Sequence, residues 1–201
     1  MSGIIEQPAL YLGFASLHLV AGQFLSALVH RARFGESPLV LYRAQGGRHQ
    51  RITRAIAVAS MVWAAGLVAF ALSAPFRASF LGTPLLGVPP LAGWVGGGLA
   101  LAGMLACQAA MGRSFRVGQD DTERPALRDA GPFRVSRNPI YVCSFLSLSA
   151  ITTGAPCALV LAACAAIGAL MHALVLAEER HLAAALGSTY QAYRRRVRRY
   201  L

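Results

Sequence analysis

The chain has 201 residues, 56% of them hydrophobic, a mean hydropathy of +0.51 and only 13% charged residues. A soluble domain carries about a quarter charged residues, so this composition excludes an ordinary water-soluble enzyme and makes the bilayer the expected solvent. The formal charge of +11 rests on 19 basic residues, all arginine, clustered between apolar runs; that placement reads as membrane topology rather than nucleic-acid binding.

Five apolar segments are expected to span, giving an all-α, polytopic membrane protein. They run about Leu10 to Val29, Ile56 to Leu72, Leu91 to Met111, Pro139 to Thr153 and Cys157 to Ala177. The N-terminus lacks the positive flank of a cleavable signal, so the first segment is expected to stay. The third segment holds Gly93, Gly96, Gly97, Gly98 and Gly103. No strand precedes them, so they read as close helix packing rather than a nucleotide loop. The fourth is short for a full span, and only Gly154-Ala155-Pro156 separates it from the fifth, so these two should form a tight hairpin. Cys107, Cys143, Cys157 and Cys164 lie in apolar stretches without metal-ligand spacing and read as core residues. The acidic Asp120-Asp121-Thr122-Glu123 run reads as a solvated loop, and no metal site is expected.

Arginine placement sets the topology. Arg31 to Arg54, Arg113 to Arg137 and Arg180 to Arg199 fall in three regions that five spans would put on one side. Arg77 alone lies on the other. The positive-inside rule then places the N-terminus outside and the C-terminus in the cytoplasm. The arginine- and alanine-rich usage suits a GC-rich bacterial genome, so a bacterial inner membrane is the expected location.

Two segments carry possible chemistry. In Gly131-Pro132-Phe133-Arg134-Val135-Ser136-Arg137-Asn138-Pro139-Ile140-Tyr141, Pro139 suits the first turn of a helix and Asn138 its N-cap. Arg137 would stand beside free backbone N–H groups, either anchoring the helix start or helping to bind an anion. In Glu178-Glu179-Arg180-His181-Leu182, adjacent carboxylates at the end of a span oppose the helix dipole and repel one another. They pair with nearby arginines or receive a cationic ligand; acids at a membrane edge are functional candidates. His172 precedes Glu179 by seven residues and shares its helical face, where it lines a cavity or bonds a neighbouring helix. His18 reads as structural.

These segments resemble the isoprenylcysteine carboxyl methyltransferase and phospholipid methyltransferase superfamily of integral membrane enzymes. Its pattern is a G-P-[YF]-R-x-x-R-[HN]-P-x-Y stretch entering a helical hairpin, then E-E-x-x-L, then a G-x-x-Y-x-x-Y tail. Here these are Gly131 to Tyr141, Glu178 to Leu182, and Gly187 to Tyr193. Gly112-Arg113-Ser114-Phe115-Arg116-Val117-Gly118 is similar to the segment after the third helix in bacterial members. The resemblance covers roughly residues 95 to 201; Asn138 stands where the eukaryotic carboxyl methyltransferases carry histidine, and Leu186 where phenylalanine is usual.

The resemblance implies methyl transfer from S-adenosylmethionine to a lipophilic acceptor, with the cofactor site at the cytoplasmic face. It assigns catalytic roles to Arg137 and Glu179, and cofactor contacts to Arg137, Asn138, Pro139, Tyr141, Glu178 and Glu179. His181, Tyr190, Tyr193 and Arg194 would complete that pocket. Arg113, Phe115, Arg116 and His172 would meet the substrate. Glu178 and Glu179 suit the ligand's ammonium and sulfonium, and Arg137 or Arg194 its carboxylate. Residues 1–90 form an N-terminal part with the first two spans; residues 91–201 form the methyltransferase core. The expected partners are the bilayer and a lipophilic substrate carrying an amine, thiol or carboxylate, with no nucleic acid; the sequence leaves the oligomeric state open. Two other readings stand beside this one. A reductase related to the sterol reductases would bind NADPH, and a small transporter or scaffold would need a polar path across the bilayer.

Overall fold

A computed structural model describes residues 26–35, 47–85, 90–112 and 127–201. Among them are seven α-helices: α1 (Ser26–Phe34), α2 (Arg48–Leu72), α3 (Ala74–Ala78), α4 (Pro90–Met111), α5 (Pro139–Thr152), α6 (Ala158–Leu186) and α7 (Ser188–Arg196). The described residues contain no strand, only two isolated bridges, Pro84 with Cys157 and Ser136 with Arg198. Three helices are long and apolar enough to cross a membrane: α2, residues Ala92–Met111 of α4, and α6; α5 is a shorter apolar helix. Most of the first expected span lies outside the described residues, and its last four positions fall in α1.

Two helices outrun their apolar segments. α2 begins at Arg48 rather than Ile56, and α6 continues to Leu186 rather than ending at Ala177. At 1.5 Å per residue, the 20 residues 158–177 already fill a hydrocarbon core of about 30 Å. The rest of α6 therefore projects beyond the span and carries Glu178 and Glu179. They sit inside a continuing helix, so its C-terminal dipole does not oppose them as the sequence suggested.

The hairpin of α5 and α6 is tight at its turn, where Gly154 N–H donates to Ile151 O at 3.0 Å and Ala155 N–H to Thr152 O at 3.1 Å. Along their lengths, however, α5 packs mainly on α4, and α6 mainly on α2. Small residues explain the first pairing: a side chain at Gly93 would meet Thr153 Oγ1 and the Ala150 carbonyl, and one at Gly103 the Cys143 sulfur. Gly96 and Gly98 face open space, so only part of the glycine run serves close approach.

The core lies where α2, α5 and α6 meet, with Trp63, Leu67, Phe70, Ile151, Val160, Cys164 and Ile167 buried together. The Trp63 indole N–H donates to Thr152 Oγ1 at 2.9 Å, satisfying the one polar atom of this large side chain. Arg77 caps the opposite end of α2 by donating to the Phe70 and Ala71 carbonyls at 2.6 and 3.1 Å. Met61, Val68 and Leu72 on α2 and Val95 and Leu99 on α4 point outward, as lipid-facing residues must.

Candidate functional site at one end of the bundle

The polar residues converge where α5 begins and α6 leaves the apolar layer. Pro132 and Phe133 lie in a 3-10 turn, Gly131–Arg134, which Gly131 enters with φ of 58°, a left-handed conformation that favours glycine. Phe133 is buried and anchors the turn. Asn138 occupies the N-cap of α5 and Pro139 the first helical position, as the sequence predicts. The Asn138 side chain makes no cap, though. Its amide donates to Glu179 Oε1 at 3.1 Å and to the Arg199 carbonyl at 3.2 Å.

Glu179 is the centre of a clamp. Arg137 donates Nε–H to Oε1 at 3.1 Å and Nη2–H to Oε2 at 3.3 Å, a two-pronged contact in which both side chains are only 8% exposed. Arg199 reaches Oε2 at 3.0–3.1 Å. The remaining nitrogen of Arg137 donates to the carbonyls of Val197 at 2.8 Å and Arg194 at 3.1 Å. The segment after α7 is thereby strapped onto the start of α5. Arg137 N–H also donates to Arg198 O at 2.9 Å, and Ser136 Oγ–H to Arg199 O at 3.1 Å. Burial alone would raise the Glu179 carboxyl; hydrogen bonds from Arg199, Arg137 and Asn138 together outweigh it and hold the group below its usual range.

Glu178 is turned elsewhere. One helical residue is about 100° of rotation, and it sends this carboxylate to Tyr141, whose hydroxyl donates to Oε1 at 2.6 Å. Among the described residues no arginine joins it, and Oε2 has no hydrogen-bond partner. Burial pushes Glu178 up to about 7, the Tyr141 hydrogen bond offsetting only part of the rise. The two neighbours thus differ in kind: Glu179 is a neutralised structural anion, and Glu178 a poised carboxyl with a free oxygen.

Tyr190 and Tyr193 are buried with ring centroids 6.1 Å apart. Tyr193 donates to the Phe133 carbonyl at 2.7 Å, and burial pushes its phenol up to about 12. The buried Tyr190 hydroxyl has no partner among the described residues and is close enough to Glu179, Arg137, Arg194 and Arg199 to be influenced by all four. His181, three residues after Glu178, is half-buried, and the Arg194 residue is exposed. His172 sits on α6 with its Nδ1 at 2.6 Å from the Tyr200 hydroxyl. Arg113, Phe115 and Arg116 lie outside the described residues.

The geometry adds Ser136, Arg199 and Tyr200, which sequence reasoning missed. Arg199 was hidden in a run of arginines already explained by topology, and Tyr200 belonged to none of the motifs. No group of three potential metal ligands occurs among the described residues.

Residues 92–189 match the family model of phospholipid methyltransferase, just under half of the chain. That match is consistent with the superfamily the motifs resemble. It takes in Arg137, Asn138, Tyr141, Glu178 and Glu179 and stops just before Tyr190. No curated protein and no solved structure gives a significant match.

Proposed function

We propose that the chain is an integral membrane methyltransferase that uses S-adenosylmethionine and methylates a lipophilic acceptor at the end of the bundle bearing Glu178 and Glu179. In the five-span topology this end faces the cytoplasm. The observation that carries the reading is the division of labour between adjacent carboxylates inside a region matching a methyltransferase family.

The residues fit the cofactor's cationic end. Glu178 offers a carboxylate with one oxygen free, and Tyr141 fixes its orientation. The buried Tyr190 hydroxyl offers a further polar contact. Arg137 is committed to Glu179, so pairing with the cofactor carboxylate falls to Arg194. When bound, the cofactor supplies a sulfonium-activated methyl group. The chain's own task is positioning: Glu178 neutralises positive charge, the Arg137–Glu179–Arg199 clamp holds the strap in place, and Tyr190 and Tyr193 close one wall against water. The acceptor enters from the lipid side, where α4, α5 and α6 present apolar surfaces. Neither the reductase nor the transporter reading gains support from the family match.

Calorimetry on the detergent-solubilised full chain tests this. S-adenosylmethionine is expected to bind and NADPH not to, with affinity lost in Glu178→Ala and weakened in Glu179→Ala. No S-adenosylmethionine binding by the wild type, or binding of NADPH instead, overturns the proposal.

A further inference from the structure

We infer that His172 takes up the proton released by the methyl acceptor and that Tyr200 orients it, so that the acceptor is an S–H or N–H nucleophile rather than a carboxylate. The inference rests on the methyl-transfer reading above and names its substrate class.

His172 lies seven residues before Glu179 on α6, about 10 Å deeper into the apolar layer and within roughly 20° of the same helical face. Glu178 lies six residues on, about 9 Å along the axis and about 120° around it; Tyr200, bonded to His172 and near the Tyr141 that holds Glu178, spans that turn. An ionisable ring at this depth is costly to keep and is a functional candidate by default. It is exposed, yet it is held: Nδ1 lies 2.6 Å from the Tyr200 hydroxyl, with ring centroids 5.9 Å apart. Nε2 has no hydrogen-bond partner among the described residues. An imidazole fixed through one nitrogen with the other open is the arrangement of a general base.

The strap links this pair to the clamp. Arg199 binds Glu179 and the next residue, Tyr200, binds His172, so one short segment sets both ends of the site. Tyr200 is also close enough to Tyr141 to influence it, and Tyr141 holds Glu178.

For Nε2 to accept a proton, Nδ1 must carry one and donate it to the Tyr200 oxygen. The acceptor atom then forms its bond to the methyl carbon as the carbon–sulfur bond breaks. The electron pair of that bond goes to sulfur, and the acceptor's proton passes to Nε2 and later to water. A carboxylate acceptor, already ionised, would give His172 nothing to do.

The test uses the full chain in detergent with S-adenosylmethionine and three amphiphiles of equal length: a thiol, an amine and a carboxylate. The wild type is expected to methylate the thiol or the amine and not the carboxylate. His172→Ala should bind S-adenosylmethionine normally by calorimetry yet lose roughly 10²- to 10⁴-fold in transfer rate, with part restored by added imidazole. Tyr200→Phe, which removes one oxygen, should lower the rate about tenfold. Nitrogen-15 NMR of the cofactor-free protein should show the Nδ1–H tautomer in the wild type and a shift in Tyr200→Phe. Methylation of the carboxylate alone, the opposite tautomer, or an unchanged rate in His172→Ala with binding intact overturns the inference while leaving methyl transfer standing. If His172→Ala loses binding, an unchanged rate in Tyr200→Phe overturns it. Absence of S-adenosylmethionine binding in the wild type instead fells the function on which it rests.

Discussion

The contrast between Glu178 and Glu179 predicts how cofactor affinity depends on pH. Glu178 titrates near 7 rather than at the ordinary 4.5, because burial penalises its charged form. A cationic ligand binds the ionised form, so each pH unit below 7 should weaken binding tenfold. Between pH 8 and pH 5.5 the ionised fraction falls from about nine-tenths to about 3%, a loss of roughly thirtyfold in affinity, or about 2 kcal/mol. Glu179, held below its usual range, stays ionised throughout this window and contributes no slope. The stability of the ligand-free protein runs the other way: a carboxyl raised on folding adds stability below 4.5 that is lost as pH rises through 7. Thermal stabilisation by the cofactor should therefore grow as pH rises. Calorimetry at half-unit steps reads the effect directly, with Glu178→Gln as control; any slope left in that variant belongs to the ligand's own amine. At pH 8 Glu178→Gln should bind about tenfold to a hundredfold more weakly, the loss of one charge-assisted contact. A wild-type affinity flat from pH 5.5 to 8, or the same slope in Glu178→Gln, would refute the assignment of Glu178 as the cation receptor.

Other substitutions separate the roles further. Glu179→Gln leaves Arg137, only 8% exposed, and the more open Arg199 without their anion, and should cost about 3 kcal/mol; a lower melting temperature and faster tryptic cleavage after Arg194 to Arg199 are the expected signs. Gly93→Ala drives a methyl group into Thr153 Oγ1 and the Ala150 carbonyl, for a loss of about 1–3 kcal/mol. Gly96→Ala meets nothing within 4 Å, so the gain in helix propensity is unopposed and thermal unfolding should show stability unchanged or raised by up to about 1 kcal/mol. Tyr193→Phe strips the buried Phe133 carbonyl of its donor and should cost about 1–2 kcal/mol. Tyr190→Phe removes a hydroxyl without a partner, so calorimetry should show weaker cofactor binding while melting is undiminished.

Much of this was legible in the sequence, for identifiable reasons. The apolar runs marked α4, α5 and the spanning part of α6 to within a few residues, because lipid demands continuous hydrophobicity. The same signal could not find the first turns of α2 or the last turns of α6, where Arg48 or Glu178 and Glu179 lie in helices that have left the apolar layer. The five-span topology and its orientation remain a reading of the arginine pattern. At the site, residue identity was legible but pairing was not. Two consecutive glutamates look equivalent in a string, and only helical rotation sends one to Tyr141 and the other to Arg137. The position of Asn138 allows a cap, yet a charged carboxylate within reach is the stronger partner for its amide. Arg199 and Tyr200 could not be distinguished from their neighbours until the strap placed Ser136 beside Arg198.

That pairing also accounts for two acids rather than one. Arg137 and Arg199 on Glu179 leave the clamp with a net charge of about +1, which would repel a sulfonium and an ammonium nearby. Ionised Glu178 cancels the clamp's excess charge, and protonated Glu178 does not; Arg194 adds a further positive charge near Tyr190. On the proposed function the clamp serves the structure, and the neighbouring carboxyl would decide whether a cation is welcome. Adjacent carboxyls driven apart in this way are the usual sign of assigned chemical roles. The division also protects the fold: Glu178 can gain or lose its proton as a ligand comes and goes without disturbing the ion pairs that hold the strap, and with it Tyr200 and His172, in place.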